Sequence, residues 1–189
     1  PQMDGWTLSG TVRLVWQDKA EGEIPGMQIF AMGTHDLPVS EYACTRWECT
    51  EGLEKDFFVT ARYGNNLPED GDWELAIWNA MPEEIGTQDG FVWTNGQAED
   101  FELTYDPQTG LVQFTVGTKT IEWYYDAGKG FTHIIPLAKS DADSHVLLEE
   151  LDLDGKDLGM VFASGNYQGL QVPFPDSEQC DGWTLSGKM

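Results

Sequence analysis

The chain of 189 residues carries 10 Lys and Arg against 33 Asp and Glu, a formal net charge of −23 at pH 7. That sign repels phosphates, so the composition argues against nucleic acid as a partner and gives no attraction to anionic lipid. Eight Trp, nine Phe and six Tyr supply ample apolar surface for a folded core. No run approaches the roughly 20 apolar residues that span a bilayer, so we expect no membrane insertion. The acidity fits a solvated extracellular surface, adaptation to salt, or carboxylates neutralised by divalent cations.

Apolar residues alternate with polar ones along most of the chain, which predicts β-strands. In the first predicted strand, one face carries Trp6, Leu8, Val12, Leu14 and Trp16. Further strands, rich in β-branched and aromatic residues, are predicted at 27–32, 56–63, 73–78, 91–94, 101–105, 111–116, 120–125, 132–137, 146–153, 159–164 and 169–172. A short helix is predicted only at 79–89.

Turn residues between these strands predict antiparallel hairpins. The segment DPQTG at 106–110 and the pair at 117–118 make 101–125 a predicted three-stranded meander. Asp154-Gly155 predicts another hairpin, and Pro136, inside a strand, predicts an edge position. Together these features predict an all-β fold, an antiparallel two-sheet sandwich of jelly-roll-like type with little or no helix.

The stretch DGWTLSG occurs twice, at residues 4–10 and 181–187. We therefore expect a β-sandwich domain over 1–172, followed over 173–189 by a linker and a strand that repeats the first. Three interpretations stay open: one unit of a tandem array, two strands of one sandwich, or strand addition to a neighbouring copy. Head-to-tail addition that does not close into a ring gives filaments.

The repeat favours assembly as the leading function. A groove shaped for Trp6 and Leu8 also fits Trp183 and Leu185, and Cys180 stands directly before the second copy, where it could bond a neighbour. We predict a non-enzymatic structural or surface-assembly protein whose partners are copies of itself. Its predicted assembly residues are Trp6, Leu8, Cys180, Trp183 and Leu185.

The cysteines and acidic turns suggest further sites. Cys44 and Cys49 are close enough in sequence for a loop disulfide, with three free thiols as the alternative. Asp152, Asp154 and Asp157 resemble an acidic calcium loop and are candidate Ca²⁺ ligands. The flanking segments are predicted strands, so an EF-hand is excluded, and a hairpin turn with solvated acids is the alternative.

Tryptophans offer a second function from another class. If exposed in a row, they would stack on sugar rings, and the chain would be a carbohydrate-binding module with a polysaccharide as partner. The candidates are Trp47, Trp73, Trp78, Trp93 and Trp123. Buried core positions are the alternative for these residues, especially for Trp123 in an alternating strand.

Catalysis has little support in the sequence. A glycoside hydrolase needs two carboxylates across a groove, and so acidic a chain places such pairs together by chance. The acids in or beside predicted strands are Glu122, Glu149, Glu150 and Asp152. The histidines His35, His133 and His145 accompany no nucleophile motif, and no phosphate-binding loop occurs. We predict a non-enzyme, with a paired-carboxylate hydrolase as the alternative.

Residues 101–159 resemble a family of bacterial exported surface domains, the "choice-of-anchor" type. The resemblance lies in FTVG at 114–117, in the strand and small polar residues at 134–140, and in the strand-turn segment 148–158. It implies an exported β-sandwich without catalysis, and therefore an extracellular or cell-surface location.

Overall fold

The structure is a computed structural model that describes residues 5–16, 26–32, 57–63, 72–79, 84–92, 94–125, 131, 133–140, 144–165, 167–170 and 172–173. Within these ranges the chain forms β-strands and no helix. The strands are β1 (Trp6–Trp16), β2 (Gly26–Met32), β3 (Phe57–Tyr63), β4 (Asp72–Asn79), β5 (Glu84–Val92), β6 (Ala98–Asp106), β7 (Leu111–Val116), β8 (Lys119–Tyr124), β9 (His133–Lys139), β10 (Ser144–Leu153), β11 (Lys156–Ser164), β12 (Tyr167–Gly169) and β13 (Val172–Pro173).

The strands build two antiparallel sheets that pack face to face. The first has six strands in the order β11-β10-β1-β6-β7-β8. The second has the order β12-β9-β2-β3-β4-β5, with β13 as an additional partner of β9. The predicted all-β sandwich is therefore confirmed. Among the described ranges no helix is long and apolar enough to cross a membrane.

Strand β1 shows how the sequence pattern builds the core. Its alternating apolar residues face the second sheet, and Trp6 and Leu8 are 2% and 0% exposed. Thr7, Ser9 and Thr11 point to the other face and are half-buried. The largest fully buried side chains of the described chain are Trp6, Phe114, Phe131, Leu8, Leu14, Met27 and Ile29. The core therefore lies between the two sheets, with β1 at the middle of one of them.

The predicted hairpins are confirmed. Strands β6, β7 and β8 are consecutive neighbours in the first sheet, as the meander predicted. Asp154 and Gly155 both have left-handed backbones, with φ of 52° and 83°, which is the conformation of a type I′ turn. This turn joins β10 to β11 and brings its own carboxylates close to the start of β1.

Two local predictions are wrong. Residues 84–89, read as part of a helix, belong to β5 and pair with β4 through Leu75 and Gln88. Gly86 weakens a helix there, and the edge of β4 that faces away from β3 offers backbone groups for hydrogen bonding. Pro136 does not lie in an edge strand, because β9 has β2 on one side and β12 and β13 on the other.

The position of Pro136 still accommodates its missing N–H. Its carbonyl accepts a hydrogen bond of 3.0 Å from the Leu170 N–H, between the end of β12 and the start of β13. The proline nitrogen faces the same junction, where the outer strand changes from β12 to β13. Pro136 therefore lies beside the break between β12 and β13, where no partner needs the N–H that it lacks, and not at the sheet edge that we expected.

The two sheets differ in their outer faces. In β9 the consecutive residues Ile134 and Ile135 are both 0% exposed, so both faces of this strand are buried. Thr60 in β3 and Ala76 in β4 are also buried although their neighbours fill the core. In the six-stranded sheet buried residues instead alternate with outward ones, as in β7, apart from the irregularity at Glu149 and Glu150 in β10 and the exposed start of β11. Within the described chain, its outer face is the open one.

Candidate functional site

The outer face of the six-stranded sheet carries a continuous set of polar side chains. Neighbouring strands place polar residues opposite one another, with Thr7 beside Thr104 and Ser9 beside Glu102. We define the polar face by eight outward polar residues of β1, β6 and β7, which are Thr7, Ser9, Thr11, Asp100, Glu102, Thr104, Gln113 and Thr115. It is held by three central strands whose opposite sides anchor the core.

Two shallow, open cavities lie side by side on the polar face. The larger has a volume of about 440 Å³, and its lining includes Ser9, Thr11, Asp100, Glu102, Thr115 and Glu150. The smaller has about 260 Å³ and is lined in part by Thr7, Thr104, Asp106, Leu111, Gln113 and Asp154. Small-molecule sites commonly fall between about 300 and 1,000 Å³. The hydroxyl, amide and carboxylate lining suits a hydroxyl-rich ligand.

Hydrogen-bonding capacity is unevenly used across the polar face. At its β8 side, the hydroxyls of Thr115 and Thr120 lie 2.8 Å apart and bond each other. The Gln113 amide likewise donates to the Glu122 carboxylate. Toward β1 no such bond ties up Glu102 or Thr104 to another described residue. These two groups keep their donors and acceptors available to a ligand.

Exposed aromatic side chains flank the polar face, but they are not the predicted tryptophans. Tyr124 is 67% exposed and lies opposite Leu111, a lining residue of the smaller cavity. On the other side, Phe162 is 53% exposed and stacks on His145 with ring centroids 5.9 Å apart. Trp123 instead packs against the core, as its burial alternative predicted. The alternating pattern of β8 sends Tyr124 outward and Trp123 inward.

The remaining tryptophan candidates are not described as side chains. Trp47 and Trp93 lie outside the described residues, and for Trp73 and Trp78 only the backbone in β4 is described. The tryptophan-based sugar site therefore stays a prediction.

Charges around the cavities are mostly negative. Arg13 pairs with Glu149 at 3.3 Å beside the larger cavity. The exposed carboxylate of Asp106 accepts hydrogen bonds of 2.8 Å from the Thr109 hydroxyl and from the Gln108 N–H. The Thr109 hydroxyl bond, followed by the Gln108 bond, lowers the pKa of Asp106 from its ordinary value of 3.8. The Asp106 carboxylate therefore remains an ionised acceptor at neutral pH.

Each of the three candidate calcium ligands accepts its own backbone hydrogen bond in or beside the β10–β11 turn. Asp152 accepts a hydrogen bond of 2.7 Å from the Gly155 N–H, and Asp157 accepts one of 2.8 Å from the Gly159 N–H. Asp154 accepts one of 2.8 Å from the Thr7 N–H. Within the described chain, no three His, Cys, Asp or Glu residues form a group that could hold a metal ion. The arrangement is that of the hairpin alternative.

The predicted assembly and disulfide residues are only partly described. Trp6 and Leu8 fill the core beneath the polar face. Cys180, Trp183 and Leu185 lie outside the described residues, and so do Cys44 and Cys49. The start of β1 is bonded on both sides, by β6 and β10, so the position that Trp6 and Leu8 occupy is already filled.

Three of the four acids considered for a hydrolase, Glu122, Glu149 and Asp152, have structural partners. Glu122 accepts from Gln113, and Glu149 pairs with Arg13. His133 and His145 lie in different sheets, and His35 lies outside the described residues. The described histidines therefore assemble no catalytic triad.

Comparisons with known proteins agree on the fold. No family model and no curated protein matches the chain. The solved winged bean acidic lectin in complex with methyl-α-D-galactose is similar at 10% identity and a TM-score of 0.52, over 90% of this chain and 71% of that one. Lectin II from Ulex europaeus has 14% identity and a TM-score of 0.48, over 88% and 72% of the two chains.

The carbohydrate recognition domain of Emp46p in its potassium-bound form has 10% identity and a TM-score of 0.49, over 88% of this chain and 71% of that one. The likeness to the winged bean acidic lectin shows the fold. That the protein is not an enzyme stays a prediction. The resemblance to choice-of-anchor domains stays a prediction. Sequence reasoning missed the polar face, although Thr7, Ser9 and Thr11 at every second position carry its signal.

Proposed function

We propose that the chain is a non-enzymatic carbohydrate-binding domain that holds neutral sugars on the polar face. The observation that carries this proposal is the pair of open, polar cavities on the outer face of the six-stranded sheet. The fold likeness to a lectin in complex with methyl-α-D-galactose supports it by analogy. The assembly hypothesis receives no comparable support, and carbohydrate binding therefore takes its place as the leading function.

The lining chemistry matches what sugars present. A sugar hydroxyl donates and accepts hydrogen bonds, as do the hydroxyls of Ser9 and Thr104, while the carboxylate of Glu102 accepts. Hydrogen bonds that involve a charged group are the stronger ones, so Glu102 would orient the ligand. Tyr124 offers an exposed ring at the rim of the smaller cavity for the apolar face of a sugar.

Charge selects among sugars. Asp100, Glu102 and Glu150 all line the larger cavity, and the whole chain carries −23. Sulfated or uronic-acid polymers would be repelled, whereas neutral polysaccharides would not. The natural partner in this proposal is therefore a neutral polysaccharide, met outside the cell or at a cell surface, where the acidic surface aids solubility.

Binding measurements on surface variants test the proposal. A neutral glycan would first be identified on an array and its affinity then measured by calorimetry. Thr104→Val removes one hydroxyl from the smaller cavity, and no described hydrogen bond is lost with it. One hydrogen bond is worth about 1 kcal/mol, so the affinity should fall roughly fivefold. Glu102→Gln should weaken binding at least as much, because it removes a charged acceptor.

Thr118→Val is the matched control. Thr118 is an exposed threonine in the β7–β8 turn, and it lines neither cavity. Its replacement should leave both affinity and stability unchanged. Failure of every neutral glycan to bind would contradict the function. Binding that survives both Thr104→Val and Glu102→Gln would contradict the site.

A further inference from the structure

We propose that residues 181–187, the second copy of residues 4–10, are a second occupant for the place that residues 5–10 hold in the sandwich. In this proposal either end of one chain can close the same core. We call the place held by the start of β1, from Gly5 to Gly10, the β1 position. The C-terminal segment lies outside the described residues, so its fit is argued from the position itself.

The β1 position demands a large aromatic residue and a leucine two residues apart. Trp6 is 2% exposed and meets Phe131 edge-on, with ring centroids 5.7 Å apart. Leu8 is fully buried. The repeat carries Trp183 and Leu185 at the same spacing, so it would restore both core side chains without rearrangement.

The position also demands a glycine at residue 10 and leaves little room for a side chain at residue 5. A Cβ atom on Gly10 would lie 2.8 Å from the Glu149 carbonyl oxygen and 3.0 Å from the Phe101 ring. A Cβ atom on Gly5 would lie 3.0 Å from the Tyr105 carbonyl oxygen. Neither backbone oxygen can move aside cheaply. The repeat has glycine at both matching places, residues 182 and 187, so it meets the steric requirements as well as the apolar ones.

The repeat ends at an irregularity in the pairing of β1 with β10, which we call the joint. The pairing of β1 with β10 shifts between Ser9 and Thr11, opposite Glu150, whose φ of 52° is unusual for a residue with a side chain. Sequence identity between the two copies stops after Gly10. The second half of β1 keeps its own register with β10 beyond this joint. The first half can therefore leave while the second half stays.

The end of the described chain lies close to the β1 position. Val172–Pro173 pairs with the start of β9, where Pro173 lies opposite His133. Phe131, two residues before His133, touches Trp6. Residues 174–180 can extend over about 25 Å, enough to cross from Pro173 to the start of β1. The same chain therefore supplies the segment at a far higher effective concentration than a second copy would.

Contacts alone do not distinguish the two occupants. Residues 5–10 keep the advantage of direct continuity with Thr11, and they hold the position in the structure. Weakening that occupant should shift the balance to the repeat. The sandwich could then release its N-terminal residues without opening its core.

A double-mutant cycle in the full chain tests the exchange. Trp183→Ala alone should leave the melting temperature unchanged, because residues 5–10 already fill the position. Trp6→Ala should lower it only modestly, because the intact repeat takes over. In the double variant either occupant leaves a large cavity, so the melting temperature should fall by about 10 °C. Equal losses in Trp6→Ala and the double variant would overturn the proposal, as would failure of Trp6→Ala alone to fold.

Hydrogen exchange and molecular mass identify the source of the new occupant. In the Trp6→Ala variant, amides of residues 181–187 should gain protection while those of residues 5–10 lose it. Light scattering should report a monomer at every concentration. A mass that rises with concentration in Trp6→Ala, but not in the double variant, would place the occupant on a second copy and contradict exchange within one chain. The milder pair Trp6→Phe and Trp183→Phe repeats the cycle should the double alanine variant not fold.

Discussion

Thr7 and Asp154 hold each other by two hydrogen bonds. The Thr7 N–H donates to Oδ1 of Asp154 at 2.8 Å, and the Asp154 N–H donates to the Thr7 carbonyl at 3.0 Å. The β10–β11 turn is thereby fastened to the start of β1, at the edge of the smaller cavity. An acidic turn that resembled a calcium loop in sequence is therefore a clamp between strands.

Replacement of Asp154 should separate the contributions of this clamp. Asp154→Asn keeps an acceptor and tolerates the left-handed backbone, so the free energy of unfolding should change by less than about 0.5 kcal/mol. Asp154→Ala loses the acceptor and places a Cβ at a φ of 52°, which should cost about 2 kcal/mol. Urea denaturation checks both values. Equal stability of the two variants would show that the clamp contributes nothing.

Gly10 should not tolerate a side chain. In Gly10→Ala the new Cβ would press on the Glu149 carbonyl oxygen at 2.8 Å, and overpacking of this kind costs about 1–3 kcal/mol. Ser9→Ala, next to it on the half-buried outer face, is the control and should change stability by less than about 0.5 kcal/mol. A Gly10→Ala variant as stable as Ser9→Ala would contradict the close approach of β10.

Asp106 should stabilise the β6–β7 turn only while it is ionised. Its pKa is lowered on folding, so the ionised form favours the folded state at pH above the ordinary value of 3.8. That contribution is lost as the pH falls through the lowered pKa. Asp106→Asn should therefore melt below the native protein at neutral pH, with the difference shrinking in strong acid. A melting difference that is constant with pH would contradict this account.

The carboxylates of the β10–β11 turn should not bind calcium. Asp152, Asp154 and Asp157 each already accept a backbone N–H from a different residue. Any rise in melting temperature on adding Ca²⁺ should therefore be the same in the native protein and in a variant with Asn at all three positions. The amide oxygens of that variant can still accept the backbone bonds. Loss of a Ca²⁺-dependent shift in the variant would restore the calcium hypothesis for this turn.

The sequence predicts the fold well because alternation and turn residues act locally. The pattern of β1 places Trp6 inside and Thr7 outside, and Asp154-Gly155 alone specifies its hairpin. The edge position predicted from Pro136 is wrong because a proline is also tolerated beside a break in the neighbouring strand. That break, between β12 and β13, lies far along the chain from Pro136. The helix predicted at residues 84–89 is wrong because their pairing with β4 outweighs a weak local preference for a helix.

The candidate site was harder to predict, since it is made by register across strands. Thr7, Thr104 and Gln113 form one row only because β1, β6 and β7 pair as they do. Nothing local in the sequence sets that register. Likewise Tyr124, next to a tryptophan in sequence, is the exposed aromatic residue because β8 turns Trp123 inward.

Titration of the isotope-labelled chain with a neutral oligosaccharide, followed residue by residue by NMR, tests the central claim most directly. The amides of Thr7, Ser9, Glu102, Thr104 and Thr115 should shift together and saturate with one dissociation constant, while those of β3 and β4 stay in place. Saturable shifts confined to the seven-stranded sheet, or no saturable shifts with any neutral sugar, would contradict binding on the polar face.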